Sequence, residues 1–388
     1  MAHCAGLPAI ADPRSSPKAV IVLSQRSLTL VLLTVAVCLV ACSGQRDVRM
    51  GPTSATPTGV QAVVGPAVAA AAAVSTPAAR SVTVAAVGDL MFARDVTTLM
   101  EERGALYPFE RVRALWADAD IVLGNLEGTY TERGMAMSKE YTFRTPPSLA
   151  KALSVGGLHA VVLANNHMYD FGAPGLDDTL TALRGVGIAH AGAGITDAAA
   201  LAPTILAARG GTRVAILAFD DIGEVQFATA TQPGVARADP EMVGRSVTGA
   251  LAKADFVLVY FHWGAEYSRE PTARQRALAQ AAVSAGASAV IGAHPHVLQQ
   301  WERIDGVPVL FSMGNFVFDL KPADVDWLGV APFQSAVAMI TLSRNVPARV
   351  SFVPVTIDAT ENRPRPATDA EAAAILGWLE PPASQAQR

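Results

Sequence analysis

From residue 81 onward the chain alternates between two patterns. Short, nearly unbroken apolar runs at 82–87, 121–123, 160–163, 214–219, 256–261 and 289–291 are each followed closely by Gly, Asp, Asn or His. Runs of that length and composition predict strands, and the lack of strict polar alternation predicts strands covered on both faces. Between them, residues 108–117, 146–154, 172–185, 241–253 and 272–285 carry the longer apolar period of helices. Strands alternating with amphipathic helices predict an α/β fold. After Gln299 the pattern changes. Segments 300–304, 307–312, 336–342 and 350–357 read as consecutive strands of an antiparallel run, and Thr368-Asp369-Ala370-Glu371 has the form of a capping box that opens a short last helix.

The first 80 residues follow neither pattern. Residues 28–40 form an uncharged apolar run preceded by Arg14, Lys18 and Arg26. As a helix this run rises about 20 Å, short of the roughly 30 Å of a bilayer's hydrocarbon core. A basic stretch before a short apolar one reads as a signal peptide. The run closes on Leu39-Val40-Ala41-Cys42, which looks like a bacterial lipobox, with Cys42 as the lipidated first residue of the mature chain. The expected organisation is a signal peptide over 1–41, an Ala/Pro-rich disordered tether over 42–80, one domain over 81–360, and a tail with a short helix over 361–388. Export and a lipid anchor on the outer face of the bacterial cytoplasmic membrane follow from that reading.

Composition narrows the chemistry. The net charge is −4 and no run of Lys or Arg occurs, so nucleic acid is not expected as a partner. The three cysteines, Cys4, Cys38 and Cys42, all precede the folded part. A disulfide framework or a cysteine metal site within the domain is therefore excluded, and any metal must be held by His, Asp, Glu or Asn.

Polar chemistry falls at the ends of the predicted strands. Asp89 follows the first; Asn125 and Glu127 the second; Asn165, Asn166 and His167 the third. His262 follows 256–261, and His294 and His296 follow 289–291. In open α/β sheets the carboxyl ends of the strands are where ligands bind. A lone Gly-Asp is most often a turn, and a lone His is often a hydrogen-bonded core residue. The pair His294-Pro295-His296 is harder to explain as packing. Carboxylate oxygen, amide and neutral imidazole together suit one or two divalent ions. Two ions about 3.5–4 Å apart can activate a bound water and stabilise a leaving oxygen.

Seven segments carry a resemblance. They are Gly88-Asp89-Leu90-Met91-Phe92-Ala93-Arg94, Asn125-Leu126-Glu127, Phe143-Arg144-Thr145-Pro146-Pro147, Ala164-Asn165-Asn166-His167-Met168-Tyr169-Asp170-Phe171-Gly172, His262-Trp263-Gly264-Ala265-Glu266-Tyr267, Gly292-Ala293-His294-Pro295-His296-Val297 and Ser312-Met313-Gly314-Asn315-Phe316-Val317-Phe318-Asp319. In this order they resemble the successive motifs of the CapA family of poly-γ-glutamate capsule synthesis proteins, within the calcineurin-like metallophosphatase superfamily. The resemblance implies a four-layer α/β/β/α metallo-dependent phosphatase-like sandwich. It further implies Asp89, Glu127, Asn166, His262, His294 and His296 as metal ligands and His167 as the catalytic acid. One departure stands out: the superfamily's first motif is usually Asp-x-His, and this chain has Met91 at the third position.

Arg94 and Arg144 are natural clamps for an anionic substrate, because guanidinium offers a planar fork to phosphate or carboxylate. Asn125 and Asn315, in the same motifs, are expected to bind substrate with them. Trp263, Tyr267 and Trp301 suit either a polymer-binding groove or ordinary packing. The expected cofactor is one or two divalent ions, with manganese, iron, zinc and magnesium all open. The expected activity is that of a surface-anchored phosphoesterase-type hydrolase in the synthesis or export of an anionic polymer, within a capsule synthesis and export complex. Two alternatives use the same residues: a non-catalytic polymer-binding assembly factor with a relic metal cleft, and a hydrolase of γ-glutamyl links.

Overall fold

The computed structural model describes residues 81–379; the expected signal peptide, tether and Cys42 lie outside the described residues. The domain is built on two sheets. In the first, four parallel strands run β1 (Val82–Leu90), β2 (Ile121–Leu126), β3 (Ala160–Val162) and β4 (Ala189–Ala191). The second contains β5 (Thr204–Ala207), β6 (Arg213–Asp220), β7 (Phe256–His262), β8 (Ala289–Ala293), β9 (Trp301–Ile304) and β10 (Val307–Leu310), in the order β9-β10-β8-β7-β6-β5. The chain then returns to the first sheet. There β11 (Asn315–Val317) pairs with the end of β1, and β12 (Gln334–Ser343), β13 (Val346–Asp358) and β14 (Arg363–Pro366) extend the sheet beyond β1 antiparallel.

The two-residue period of the strands shows what lies on each face. Val214, Ile216 and Ala218 of β6 and Phe256, Leu258 and Tyr260 of β7 share one core with the first sheet. The intervening Ala215, Leu217, Phe219, Val257, Val259 and Phe261 pack instead on Val243, Val247, Leu278 and Ala282. Those last four belong to α2 (Pro240–Leu251) and α3 (Ala273–Ser284). Leu176, Leu180 and Leu183 of α1 (Gly172–Gly185) join the core on the first sheet's side. Helix, sheet, sheet and helix make the four layers expected. Tyr260 Oη donates to Val87 O at 2.7 Å, tying β7 to β1 across the sandwich.

Local signals place the helix ends. Thr272 caps α3 in a capping box with Gln275, and the Asp239 carboxylate accepts from the Glu241 and Met242 N–H groups at the start of α2. Two expectations change. Residues 108–117 form two 3₁₀ turns, Tyr107–Phe109 and Arg113–Trp116, rather than a helix. Their apolar side chains Phe109, Val112 and Trp116 enter the core together, which a short tight turn achieves without a long helical stripe. The late strands do not form one antiparallel run either. β10 pairs antiparallel with β9 and parallel with β8, while β12 and β13 belong to the other sheet. Helix α4 (Asp369–Leu379) buries Ile375 and Leu379 in the main core, so the chain stays with the sandwich beyond residue 360.

Candidate metal centre

Both sheets present the carboxyl ends of β1, β2, β3, β7 and β8 to one rim, and the polar residues expected there meet. Asp89, at the end of β1, has no exposed surface. Its Oδ1 accepts from Asn125 Nδ2 at 2.9 Å, and its Oδ2 accepts from the His294 N–H at 3.3 Å and lies 3.5 Å from His296 Nδ1. His262 Nε2 lies 2.9 Å from Asn166 Oδ1. The rings of His262 and His294 are 4.8 Å apart between centroids, and those of His294 and His296 5.8 Å. Glu127 Oε1 stands 3.9 Å from Nε2 of both His167 and His296.

Backbone close approach makes this possible. Asp89 N–H donates to Gly314 O at 3.0 Å, with Gly88 alongside so near that a Cβ there would lie 1.8 Å from that oxygen. The turn at His294-Pro295-His296 holds both histidines at positive φ, 95° and 58°. That conformation is costly for a residue with a Cβ and persists where the surroundings require it. Here it aims both rings into the cleft.

The electrostatics suit a cation. Burial first, and the Asp89 carboxylate second, push the Glu127 carboxyl well above the usual range. Burial holds His262 and His294 well below the ordinary imidazole value, with neighbouring imidazoles adding to the effect for each. Burial also lowers His167, against the pull of Asp170. His296 goes the other way: burial opposes its charge, but Glu127 and Asp89 together outweigh that and raise it to about 9. Glu127 Oε1 and Oε2 and His294 Nδ1 are buried with no hydrogen-bond partner. A buried carboxylate without a hydrogen bond is expensive, and a divalent ion would offset that cost. Donor atoms of Asp89, Glu127 and His296 lie within 4.8 Å of one another, and so do those of Glu266, His294 and His296. The residues present therefore fit a divalent metal.

His167 is placed differently from the donors. Its Nδ1 lies 2.8 Å from Asp170 Oδ2, and its ring stacks on Phe143 at 4.2 Å between centroids. Asp170 is wholly buried and paired with Lys139 Nζ at 2.6 Å. Lys139 also donates to Asn166 O at 2.7 Å, bracing the loop that carries Asn166 and His167.

The residues expected to bind substrate divide. Arg94 and Arg144 are exposed, and each guanidinium lies over aromatic rings: Arg94 over Tyr141 and Phe143, at 5.2 and 4.9 Å, and Arg144 over Phe171, at 4.6 Å. Neither pairs with a carboxylate among the described residues. Asn125 and Asn315 make their hydrogen bonds inside the fold. Asn125 is buried, donating to Asp89 and accepting from Asn165 Nδ2 at 3.0 Å. Asn315 Oδ1 meets His296 Nδ1 at 2.9 Å, and its amide donates to His296 O and Pro332 O. With their hydrogen-bonding groups engaged inside the fold, both amides orient donors instead. Trp263 is core, stacked on Phe261 at 4.4 Å and donating to Phe311 O.

Sequence reasoning missed Lys139, Asp170 and Glu266 as contributors. Asp170 and Glu266 carried a faint signal, an acid three or four residues after a cleft histidine. Lys139 carried none, since nothing in the 132–142 segment shows which way a side chain will reach.

Among solved structures, a 5′-nucleotidase from Candida albicans aligns over 72% of this chain and 53% of its own, at 11% identity and a TM-score of 0.41; so loose a likeness bears nothing on the site. The sequence relatives are nearer. The PGA biosynthesis protein CapA of Bacillus subtilis is 35% identical over 283 residues, covering 72% of each chain. The capsule biosynthesis protein CapA of Bacillus anthracis is 33% identical over 297 residues, covering 74% of this chain and 70% of that one. Residues 83–320, which hold every cleft residue described above, match the family described as bacterial capsule synthesis protein PGA_cap. The chain belongs to that family.

Proposed function

We propose that this chain takes part in capsule polymer synthesis, the role its Bacillus relatives are named for, and that it does so as a metal-dependent hydrolase of phosphoester type. The observation that carries the hydrolase reading is the position of His167 beside the donor cluster. Its Nε2 faces Glu127 while its Nδ1 is held by Asp170. A site that only binds has no use for a ring so oriented, whereas a general acid needs that placement.

Asp89, Glu127, Asn166, His262, His294 and His296 would hold the metal, which when bound supplies Lewis-acid charge stabilisation and activates water. Asn125 and Asn315 hold Asp89 and His296 in position. His167, once it carries a proton on both ring nitrogens, delivers the one on Nε2 to the leaving oxygen. Arg94 and Arg144, stacked on aromatic rings at the cleft's edge, would bind anionic groups of the polymer.

The test is direct. Purified protein should contain metal and hydrolyse a generic phosphodiester. His167→Ala should keep the metal and lose turnover by about 10²–10⁴-fold, and His294→Ala should lose both. Wild-type protein that binds metal yet turns over no phosphodiester or γ-glutamyl substrate would sink the catalytic reading. Met91 favours the second reading, a non-catalytic assembly factor, because its side chain is buried among apolar residues and offers the cleft no donor.

We also propose export and lipidation at Cys42, supported by Leu39-Val40-Ala41-Cys42 at the end of the apolar run. Mass spectrometry of the mature protein should find an acylated Cys42 at its N-terminus; a chain still carrying Met1 and an unmodified Cys42 would refute it.

A further inference from the structure

Strand β1 supplies the cleft with one donor only. Met91, two residues beyond Asp89, is fully buried, packs with Phe143, Phe318 and Phe333, and accepts the Ala93 N–H on its sulfur at 3.1 Å. An ion beside Asp89, Glu127 and His296 would thus have three side-chain donors from that group. A second group of donors shares His296 with it. Glu266, four residues beyond His262 on the loop after β7, brings a carboxylate oxygen within 4.8 Å of donor atoms of His294 and His296.

We propose that Glu266 is a metal ligand, closing from the second sheet's loop the cation site around His296 that Met91 leaves short. The proposal rests on reading the cleft as a metal centre and adds to it a donor from outside the expected set. Two further observations support it. His294 Nδ1 is buried and has no hydrogen-bond partner, so the group that Glu266 joins contains a nitrogen still lacking a counterpart. The loop is also held in place: Tyr267 N–H donates to Pro295 O at 2.8 Å, joining the turn that carries Glu266 to the turn that carries both histidines. Tyr267, His294 and His296 all have positive φ, 58°, 95° and 58°. Unfavourable backbone at three residues of two adjoining turns marks a geometry set by something other than chain preference.

A carboxylate added to the two imidazoles has a chemical consequence. It makes the donor set harder, favouring an oxygen-seeking ion such as Mn²⁺ over the imidazole-rich preference of Zn²⁺. Glu266 is exposed, so ordinary surface charge is the competing explanation, and Glu270 on the same loop, also exposed, serves as the control.

Metal-free full-length protein is titrated with Mn²⁺ by calorimetry as wild type, Glu266→Gln, Glu270→Gln and His294→Ala. The expected result is a loss of about 10- to 100-fold in affinity, or of one bound ion, for Glu266→Gln. Glu270→Gln should match wild type, and circular dichroism should be unchanged in both. If Glu266→Gln binds as wild type does while His294→Ala fails to bind, Glu266 is no ligand and the metal centre stands without it. Equal weakening by Glu266→Gln and Glu270→Gln would reduce the effect to surface charge and overturn the assignment. If wild type takes up no ion, the metal reading fails and the assignment falls with it.

Discussion

The Nδ1 of His167 lies 2.8 Å from Oδ2 of Asp170, and this contact determines which ring nitrogen faces the cleft. An ionised carboxylate can only accept, so the imidazole proton there sits on Nδ1. Nε2 is left toward Glu127, 3.9 Å away. Lys139 and the Phe143 N–H hold Asp170 in turn, at 2.6 Å each. The pair orients the imidazole and stabilises its charged form when it takes up a proton.

Asp170→Asn tests that arrangement. The neutral amide cannot stabilise the doubly protonated ring that donates from Nε2. Phosphodiester turnover should fall by about 10²–10⁴-fold, with metal content and circular dichroism unchanged. Undiminished kcat would show that the orientation of His167 is immaterial.

Glu127→Gln should separate stability from metal binding. Both Glu127 oxygens are buried without hydrogen-bond partners. In chelator, the Gln variant should be more stable than wild type by about 1–2 kcal/mol, as read from urea denaturation. With Mn²⁺ added the order should reverse, because wild type gains the larger binding energy. A variant less stable than wild type in chelator would mean that the carboxylate is satisfied by something other than metal.

Gly88→Ala should damage fold and site together. The added Cβ would fall 1.8 Å from Gly314 O, backbone against backbone, with no flexible neighbour to yield. Forcing these segments apart should cost about 3 kcal/mol and displace Asp89 and Asn315, the next residues in the chain. Gly185→Ala, in α1 with open space around its Cβ, should instead gain about 0.5–1 kcal/mol. Denaturation midpoints that shift alike in both variants would contradict the close approach.

Asp220, paired across the sheet with His262, gives a pH signature of its own. It ends β6 fully buried, with Oδ1 unpartnered, and burial raises its carboxyl to about 7. The unfolded chain releases this proton near the ordinary value of 3.8, whereas the folded protein keeps it to about 7. Across that window the unfolded state binds fewer protons, so wild-type stability falls as pH rises. Asp220→Asn should remove the slope, gaining on wild type between those limits by at most about 4 kcal/mol and levelling off above. Thermal melts from pH 4 to 8 that keep a constant offset between the two proteins would refute the assignment.

Some of this was decided by sequence alone, because the responsible forces are local. Apolar runs long enough for one strand act within a few positions of themselves, so the central strands and helices α1, α2 and α3 were legible, while the 3₁₀ turns at 107–109 and 113–116 were not. The placement of polar residues just past apolar strands was legible for the same reason.

Tertiary structure decided what local pattern does not encode. Residues 307–310 read as a strand, but only neighbours from both directions in the chain show that β10 joins β8 and β9 rather than β12. Asn125 and Asn315 stood in motifs with substrate-facing chemistry in prospect, yet the packing of Asp89 and His296 against them turns both amides inward. Asp89 meets the His294 N–H across 205 residues of chain, and Lys139 reaches Asn166 from a segment with no period at all. Hydrophobic periodicity specifies which face of an element is buried. Which partner lies against that face, and which atom of a polar side chain is left over to do chemistry, depends on segments far away in sequence and is settled only when the two sheets close on each other.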